Sequence, residues 1–257
     1  APAQPPAAGL FFDDFSHADA AALVQRGGWR LRDAPGHPGV PGARWAPEGL
    51  SLVDDPGQPG NRLLLLTAST DGTAAGTRQA QLCHARKLLH GTYAARIRFT
   101  DSPRAGAAGD PVVQTFYTVA PLAHDFDPRF SEVDWEYLPN GGWGSPAPRL
   151  YGISWQTVRL DPWQAHNSAH EAPGRLGGQG AEGASDGWHL LGMVVTPEAV
   201  EMFLDGQRLA THSGRQVPVQ PMAVQFNLWF SPGGLGPASA EARVWVQEVD
   251  WVFHAAG

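Results

Sequence analysis

Ala199-Val200-Glu201-Met202-Phe203-Leu204-Asp205-Gly206-Gln207-Arg208-Leu209 reads as a β-hairpin. Val200, Met202 and Leu204 recur at period two, the mark of a strand with one buried face. Asp205-Gly206 suits a two-residue type I′ turn, where both central residues take positive φ. The same alternation returns on either side of this hairpin. In residues 93–99, Tyr93, Ala95, Ile97 and Phe99 share an apolar face, with Ala94, Arg96 and Arg98 between them. In residues 224–230, Val224, Phe226, Leu228 and Phe230 face one way and Gln225, Asn227 and Trp229 the other. In residues 243–253, Trp245, Val249, Trp251 and Phe253 fall on one face. Residues 63–66 are leucines throughout and read as an inner strand covered on both sides. The best helix candidate, residues 19–25, is short. Strands without long helices, separated by frequent Gly/Pro/Asp/Ser turns, predict an all-β fold: a two-sheet antiparallel β-sandwich of jelly-roll type.

The chain has 257 residues, 31 of them glycine and 23 proline, as a fold with many turns requires. An all-β chain of this length is expected to form one domain, residues 10–257, behind a flexible Pro/Ala-rich leader at residues 1–9. The leader looks like the start of a mature exported protein, so a secreted location is expected. The net charge of −7, from 25 acids against 18 Lys and Arg, argues against nucleic-acid and anionic-membrane partners, which need a basic surface. No segment is long and apolar enough to span a bilayer as a helix, and a monomer is expected. Cys83 is the single cysteine and reads as a buried structural thiol. Ten tryptophans are a high count, and the flat apolar face of an indole suits stacking on a sugar ring. Residues 101–111, 139–148 and 167–187 are Gly/Pro-rich and read as long loops.

The chemistry is concentrated in Phe130-Ser131-Glu132-Val133-Asp134-Trp135-Glu136-Tyr137-Leu138. Alternation sends Val133, Trp135 and Tyr137 into the core and lines up Glu132, Asp134 and Glu136 on the opposite face. Same-face neighbours on a strand lie roughly 7 Å apart, so three ionised carboxylates there repel one another. One group is expected to hold its proton near neutral pH, and only the coupled set titrates. Glycoside hydrolysis uses such a set: one carboxylate attacks the anomeric carbon while a carboxylic acid protonates the leaving oxygen. Two other readings are a solvated acidic face, which usually has Lys or Thr interspersed, and a calcium site. Calcium wants oxygens converging from a loop, which a straight strand spreads apart. No cofactor is expected, and a structural calcium ion is not indicated.

Glu132 to Leu138 resembles the E-x-D-x-E signature of glycoside hydrolase family 16, which includes lichenases, laminarinases, agarases, carrageenases and xyloglucan-modifying enzymes. The single residue between Asp134 and Glu136 is similar to the lichenase and transglycosylase branch. Other segments resemble the family in family order: Gly91-Thr92-Tyr93-Ala94-Ala95-Arg96-Ile97-Arg98, Val112-Val113-Gln114-Thr115-Phe116-Tyr117-Thr118, Trp188-His189-Leu190 through Asp205-Gly206, and Asn227-Leu228-Trp229. Together they run over nearly the whole chain, from Phe11 to Phe253. The resemblance implies a concanavalin-like jelly roll. It also implies retaining endo-hydrolysis, or transglycosylation, of a β-linked polysaccharide, foremost a β-glucan, through a glycosyl-enzyme intermediate. Glu132 matches the nucleophile, Glu136 the acid/base and Asp134 the assisting carboxylate.

The binding residues follow from the same resemblance and from side-chain phase. Asn227 and Trp229 match an Asn and a Trp that line the family's cleft, and Gln225 shares their face. Phe130 stands where the family has an aromatic residue just before the signature. Trp155 reads equally as a sugar platform or as core, and Trp143, in a Gly-rich loop, as a subsite residue or as one tucked into the loop. Trp135 and Tyr137 replace the commoner aliphatic and Phe residues of the signature, and residues 122–128 are atypical, which leaves the polysaccharide open. Two rival readings are a lectin-like sandwich, against which the carboxylate trio argues, and a diverged enzyme of the same fold acting on another glycan such as a galactan. His124, His166 and His170 read as surface residues, since the zinc-like spacing of the last two lies in a Gly/Pro-rich stretch rather than on a helix.

Overall fold

The Asp205-Gly206 turn has φ values of 51° and 80°, the mirror-image backbone that matches the right-handed twist of paired strands. It belongs to a computed structural model that describes residues 9–176 and 187–257. The strands follow in chain order as β1 (Leu10–Asp13), β2 (Trp29–Leu31), β3 (Arg44–Trp45), β4 (Leu50–Asp54), β5 (Arg62–Thr70), β6 (Arg78–Leu88), β7 (Gly91–Arg98) and β8 (Val112–Val119). They continue as β9 (Glu132–Leu138), β10 (Arg149–Arg159), β11 (Gln164–Pro173), β12 (Trp188–Val195), β13 (Ala199–Leu204), β14 (Gln207–Ser213), β15 (Met222–Phe230) and β16 (Arg243–Ala255). A short helix, α1 (Ala20–Gln25), begins at Asp19, whose carboxylate accepts the Ala22 N–H at 2.8 Å and satisfies one of the first turn's free donors. Among the described residues no helix is long and apolar enough to cross a membrane.

The strands form two antiparallel sheets. The first has the order β4-β5-β16-β7-β12-β13-β14, with β1 beside the last residues of β16, and the second β11-β10-β9-β8-β15-β6-β2. The ladder passes from one to the other at the pair Ser69 and Arg78, and β3 runs parallel to the start of β6. Tyr93, Ala95 and Ile97 of β7 and Val200 and Met202 of β13 share one apolar core with Phe116 of β8, Val133, Trp135 and Tyr137 of β9, and Val224, Phe226 and Leu228 of β15. Trp135 ties the layers together: its indole N–H donates to the Gly192 carbonyl of the opposite sheet at 3.2 Å. Gly152, its cross-strand partner on β10, leaves room for the ring, since a Cβ there would stand 3.1 Å from Trp135 and from Met202. The expected two-sheet sandwich is present, and the predicted core faces of residues 93–99, 133–137 and 224–230 lie in the core between the sheets.

Three expectations need correction. Trp251 and Phe253 do not share the inward face of Trp245 and Val249: the register on β7 shifts between Val249 and Trp251, and beyond that bulge Val252 and His254 point inward. Trp251 and Phe253 instead line a shallow apolar groove on the sheet's outer surface with Leu190 and Phe203. Residues 167–173 are not loop but the greater part of β11, an edge strand whose alternating small and polar residues satisfy one ladder without entering the core. Cys83 is half-buried rather than buried, because on β6 it is Leu82 that enters the core. Residues 1–8 of the expected leader and 177–186 of the expected third loop lie outside the described residues.

Candidate active site

The site begins with the pleat of β9. Val133, Trp135 and Tyr137 are buried between the sheets, so Glu132, Asp134 and Glu136 stand together on the face of the second sheet turned away from that core. They are not solvated: Asp134 is 3% exposed and Glu136 9%, with Glu132 half-buried. Neighbouring strands supply the cover. On β10, Tyr151 opposes Glu136, Ile153 opposes Asp134 and Trp155 opposes Glu132. On β8, Thr115 opposes Glu136 and Tyr117 opposes Asp134. Below the acids a second apolar cluster, Trp45, Val113, Leu138, Tyr151, Ile153 and Trp229, floors the same face.

Burial and crowding set the proton affinities. Desolvation pushes the Glu136 carboxyl up to about 7, and the indole N–H of Trp143, 2.7 Å from Oε2, partly opposes it. Desolvation, then the charge of Glu136, raises Glu132 to about 8. Asp134 rises well above its ordinary value through burial and the charges of both glutamates, although the Trp155 indole N–H donates to its Oδ2. Both neighbouring carboxyls are raised, so Glu132 and Asp134 titrate as a pair with Glu136 rather than singly. The sequence predicts one proton held near neutral pH through like-charge repulsion; here all three carboxyls are raised, and desolvation is the larger cause for each.

This has a consequence for stability. The folded chain binds protons that the unfolded chain releases above the ordinary Glu value of 4.5, so stability falls as pH rises from there through about 7 and 8. Glu136→Gln removes one such group. The variant is expected to melt above the wild type at pH 8, by on the order of 1–3 kcal/mol, and with it at pH 4. Identical melting at both pH values would contradict the raised proton affinity.

A polar chain runs alongside the acids. Arg32 donates to Gln81 Oε1 at 2.9 Å, Gln81 and Tyr117 both donate to Gln225 Oε1 at 2.7 Å, and Asn227 Nδ2 donates to the Tyr117 hydroxyl at 3.2 Å. Thr115 Oγ1 donates to Asn227 Oδ1 and closes the chain beside Glu136. Aromatic rings frame both ends of the acid row. At the Glu136 end the Trp143 ring lies 5.9 Å from Trp229. At the Glu132 end Trp155 meets Trp163 edge-on at 5.7 Å, and Trp163 stacks on His37 at 4.9 Å. His37 belongs to the connection between β2 and β3, which is tethered to β6 through Arg32 on Gln81 and the Val40 N–H on Gln79. Because β15, β8 and β9 separate β6 from β10, this connection reaches over the acid-bearing face from one flank to the other.

The residues singled out from sequence are largely brought together. Glu132, Asp134, Glu136, Asn227, Trp229, Gln225, Trp155 and Trp143 lie on or over one face. Trp155, whose phase was ambiguous, is on the acid side. Phe130 is buried in the turn before β9, outside both apolar clusters. Tyr117, Thr115, Gln81, Tyr151, Arg32, His37 and Trp163 were not anticipated. For Tyr117 and Thr115 the alternation was uninformative, because β8 is buried on both faces. Trp163 and His37 meet only through the fold. His124 and His166 are exposed and His170 half-buried at the edge strand.

No protein-family model matches the sequence, and no curated protein matches it significantly. Solved structures do match the fold. A Bacillus licheniformis β-glucanase superposes with a TM-score of 0.64 at 17% identity, covering 97% of this chain and 99% of its own. A glycoside hydrolase family 16 endo-glucanase from Bacteroides ovatus gives 0.64 at 12% identity, covering 94% and 98%. A laminarinase from Flavobacterium sp. UMI-01 gives 0.63 at 13% identity, covering 95% and 98%. Over nearly its full length, the chain has the β-sandwich fold that these glycoside hydrolases share.

Proposed function

We propose that the protein is a retaining glycoside hydrolase of family 16 type that cleaves a β-linked polysaccharide, foremost a β-glucan, within the chain. The observation that carries this reading is the row of three carboxyls with raised proton affinity on one strand face, Asp134 and Glu136 buried and Glu132 half-buried, each with a different set of partners. Glu132 is the nucleophile. It attacks in the ionisation state of the coupled set in which the protons sit on Asp134 and Glu136. Glu136 is the acid: it protonates the glycosidic oxygen as Glu132 bonds to the anomeric carbon, then takes a proton from the water that releases the sugar. Asn227, Gln225 and Tyr117 offer hydrogen-bonding groups to sugar hydroxyls, and Trp155, Trp143 and Trp229 offer aromatic faces. The Trp229 indole N–H is buried without a protein partner among the described residues, a donor that a sugar hydroxyl can satisfy.

The test is a cleavage panel in which wild type and Glu132→Gln meet mixed-linkage β-glucan, laminarin, xyloglucan, agarose and carrageenan, with products resolved by chromatography. Oligosaccharides from one polymer, absent with the variant, support the reading. Tight binding without products from any polymer supports a lectin-like role instead. Where cleavage occurs, the rate is expected to fall as pH rises past about 7, since Glu136 must enter the first step protonated. A rate that stays flat to pH 10 contradicts the acid role.

A further inference from the structure

We propose that Trp143 positions the acid/base: its indole N–H holds Glu136 Oε2, so that Oε1 is the oxygen that delivers the proton. This rests on the function proposed above. The indole nitrogen lies 2.7 Å from Oε2. An indole N–H can only donate, and a neutral carboxyl accepts best at its carbonyl oxygen, so the hydroxyl falls on the other one. In the first step the proton leaves Oε1 for the glycosidic oxygen, the bond from that oxygen to the anomeric carbon breaks, and the Glu132 carboxylate forms an ester with the carbon. Glu136 ends that step ionised, and its bond from Trp143 becomes charge-assisted and stronger. In the second step Oε1 takes the proton back from the attacking water. Trp143 thus favours the charged product of the first transfer while fixing which oxygen is used.

The surroundings are built for this. Trp143 sits at φ 52°, a left-handed backbone uncommon for a bulky residue, between Gly142 at 148° and Gly144 at 89°. Gly142 and Ser145 pair through both backbone bonds, at 2.8 and 3.0 Å, and the Tyr151 hydroxyl donates to the Gly142 carbonyl at 3.1 Å. The ring is 42% exposed, so neither burial nor loop geometry demands a tryptophan there. Its specific contacts are Glu136 and the ring of Trp229. The ionisable groups facing Glu136 are Glu132 and Asp134 on its own strand and Tyr151 on β10, with Arg149 and Glu171 beyond Tyr151. From β8 the facing residues are Thr115 and, beside Asp134, Tyr117.

The experiment uses the whole chain labelled with ¹⁵N at its tryptophans. The Trp143 indole signal is identified by its loss in Trp143→Phe, and the other nine of the ten indole signals report that the fold is kept. In wild type the Trp143 N–H signal is expected to shift with pH as Glu136 titrates, and in Glu136→Gln that shift disappears. A pH-independent signal in wild type overturns the proposal even if the enzyme is active. On a cleaved glycan, Trp143→Phe keeps the ring and loses the donor. Its alkaline limb of kcat is expected to move up by about one pH unit. A uniform fall in kcat with the limb in place indicates a merely structural role and overturns it. If no glycan is cleaved by wild type, the functional reading fails while the indole titration still decides the proposal.

Discussion

Glu132→Gln is expected to reduce turnover of the polysaccharide by roughly four orders of magnitude or more, because the covalent step cannot begin without the nucleophile. Glu136→Gln is expected to cost about 10²–10⁴-fold on the same polymer, the range for losing a positioned acid. The two losses can be told apart with an aryl β-glycoside whose phenol leaves without protonation. On that substrate Glu136→Gln should form the glycosyl-enzyme readily and show a burst, then turn over slowly for want of a base. Glu132→Gln should remain inactive on both substrates. Asp134→Asn should fall between them, since it removes the carboxyl whose titration is coupled to that of Glu132. Near-normal turnover by Glu132→Gln on either substrate would sink the assignment, and a burst from that variant would mean that the two glutamates exchange roles.

Arg243→Met is expected to destabilise the fold by about 3–5 kcal/mol, because it leaves Asp110 as a buried charge without its counterpart. The pair is enclosed: the Asp110 side chain is 0% exposed, and it accepts from Arg243 Nε at 2.7 Å and from an Nη at 2.9 Å. Arg243 also donates to the Pro237 carbonyl and to Ser239, both at 3.0 Å, which fastens the segment before β16. For a chain of this length the loss corresponds to a fall of roughly 10 °C in Tm. Removing both charges, as Asp110→Leu with Arg243→Met, should recover a large part of it, since burying neither ion costs less than burying one. Thermal unfolding of the three proteins decides this, and a single variant that melts with the wild type refutes it. The loop that carries Trp143 is tied to the same point through Asn140, whose amide donates to the Asp110 carbonyl at 2.8 Å. Arg243→Met is therefore also expected to loosen Glu136, and to lose activity below the temperature at which it melts.

Where a strand buries one face and wets the other, its side-chain phase could be read directly. Residues 199–209 announced their hairpin, and the observed positive φ of Asp205 and Gly206 follows from that dipeptide. The acid row was legible although its own face is covered too, since three carboxylates at period two have one place to go when Val133, Trp135 and Tyr137 enter the apolar core. Legibility failed where the period broke or carried no contrast. The bulge in β16 reverses the phase of Trp251 and Phe253 without any local signal. In β8 both faces are covered, so nothing in Val112 to Thr118 distinguishes Thr115 and Tyr117 from the core. In β11 small and polar residues looked like loop, because an edge strand needs a ladder partner more than it needs apolar side chains.

The sequence by itself determined the layered all-β architecture, the strand that bears the acids and the face on which they stand, because period-two burial is a local rule applied residue by residue. Tertiary structure alone decided how dry the acids are, which proton each keeps and which rings close over them. Those depend on residues outside the acid-bearing strand: Trp155 donating to Asp134, Trp143 to Glu136, and His37 stacking on Trp163 beyond three intervening strands. Desolvation is a property of the space around a group rather than of its neighbours in sequence, so the proton affinities that make three ordinary carboxyls into a candidate active site appear only when the sheets have closed.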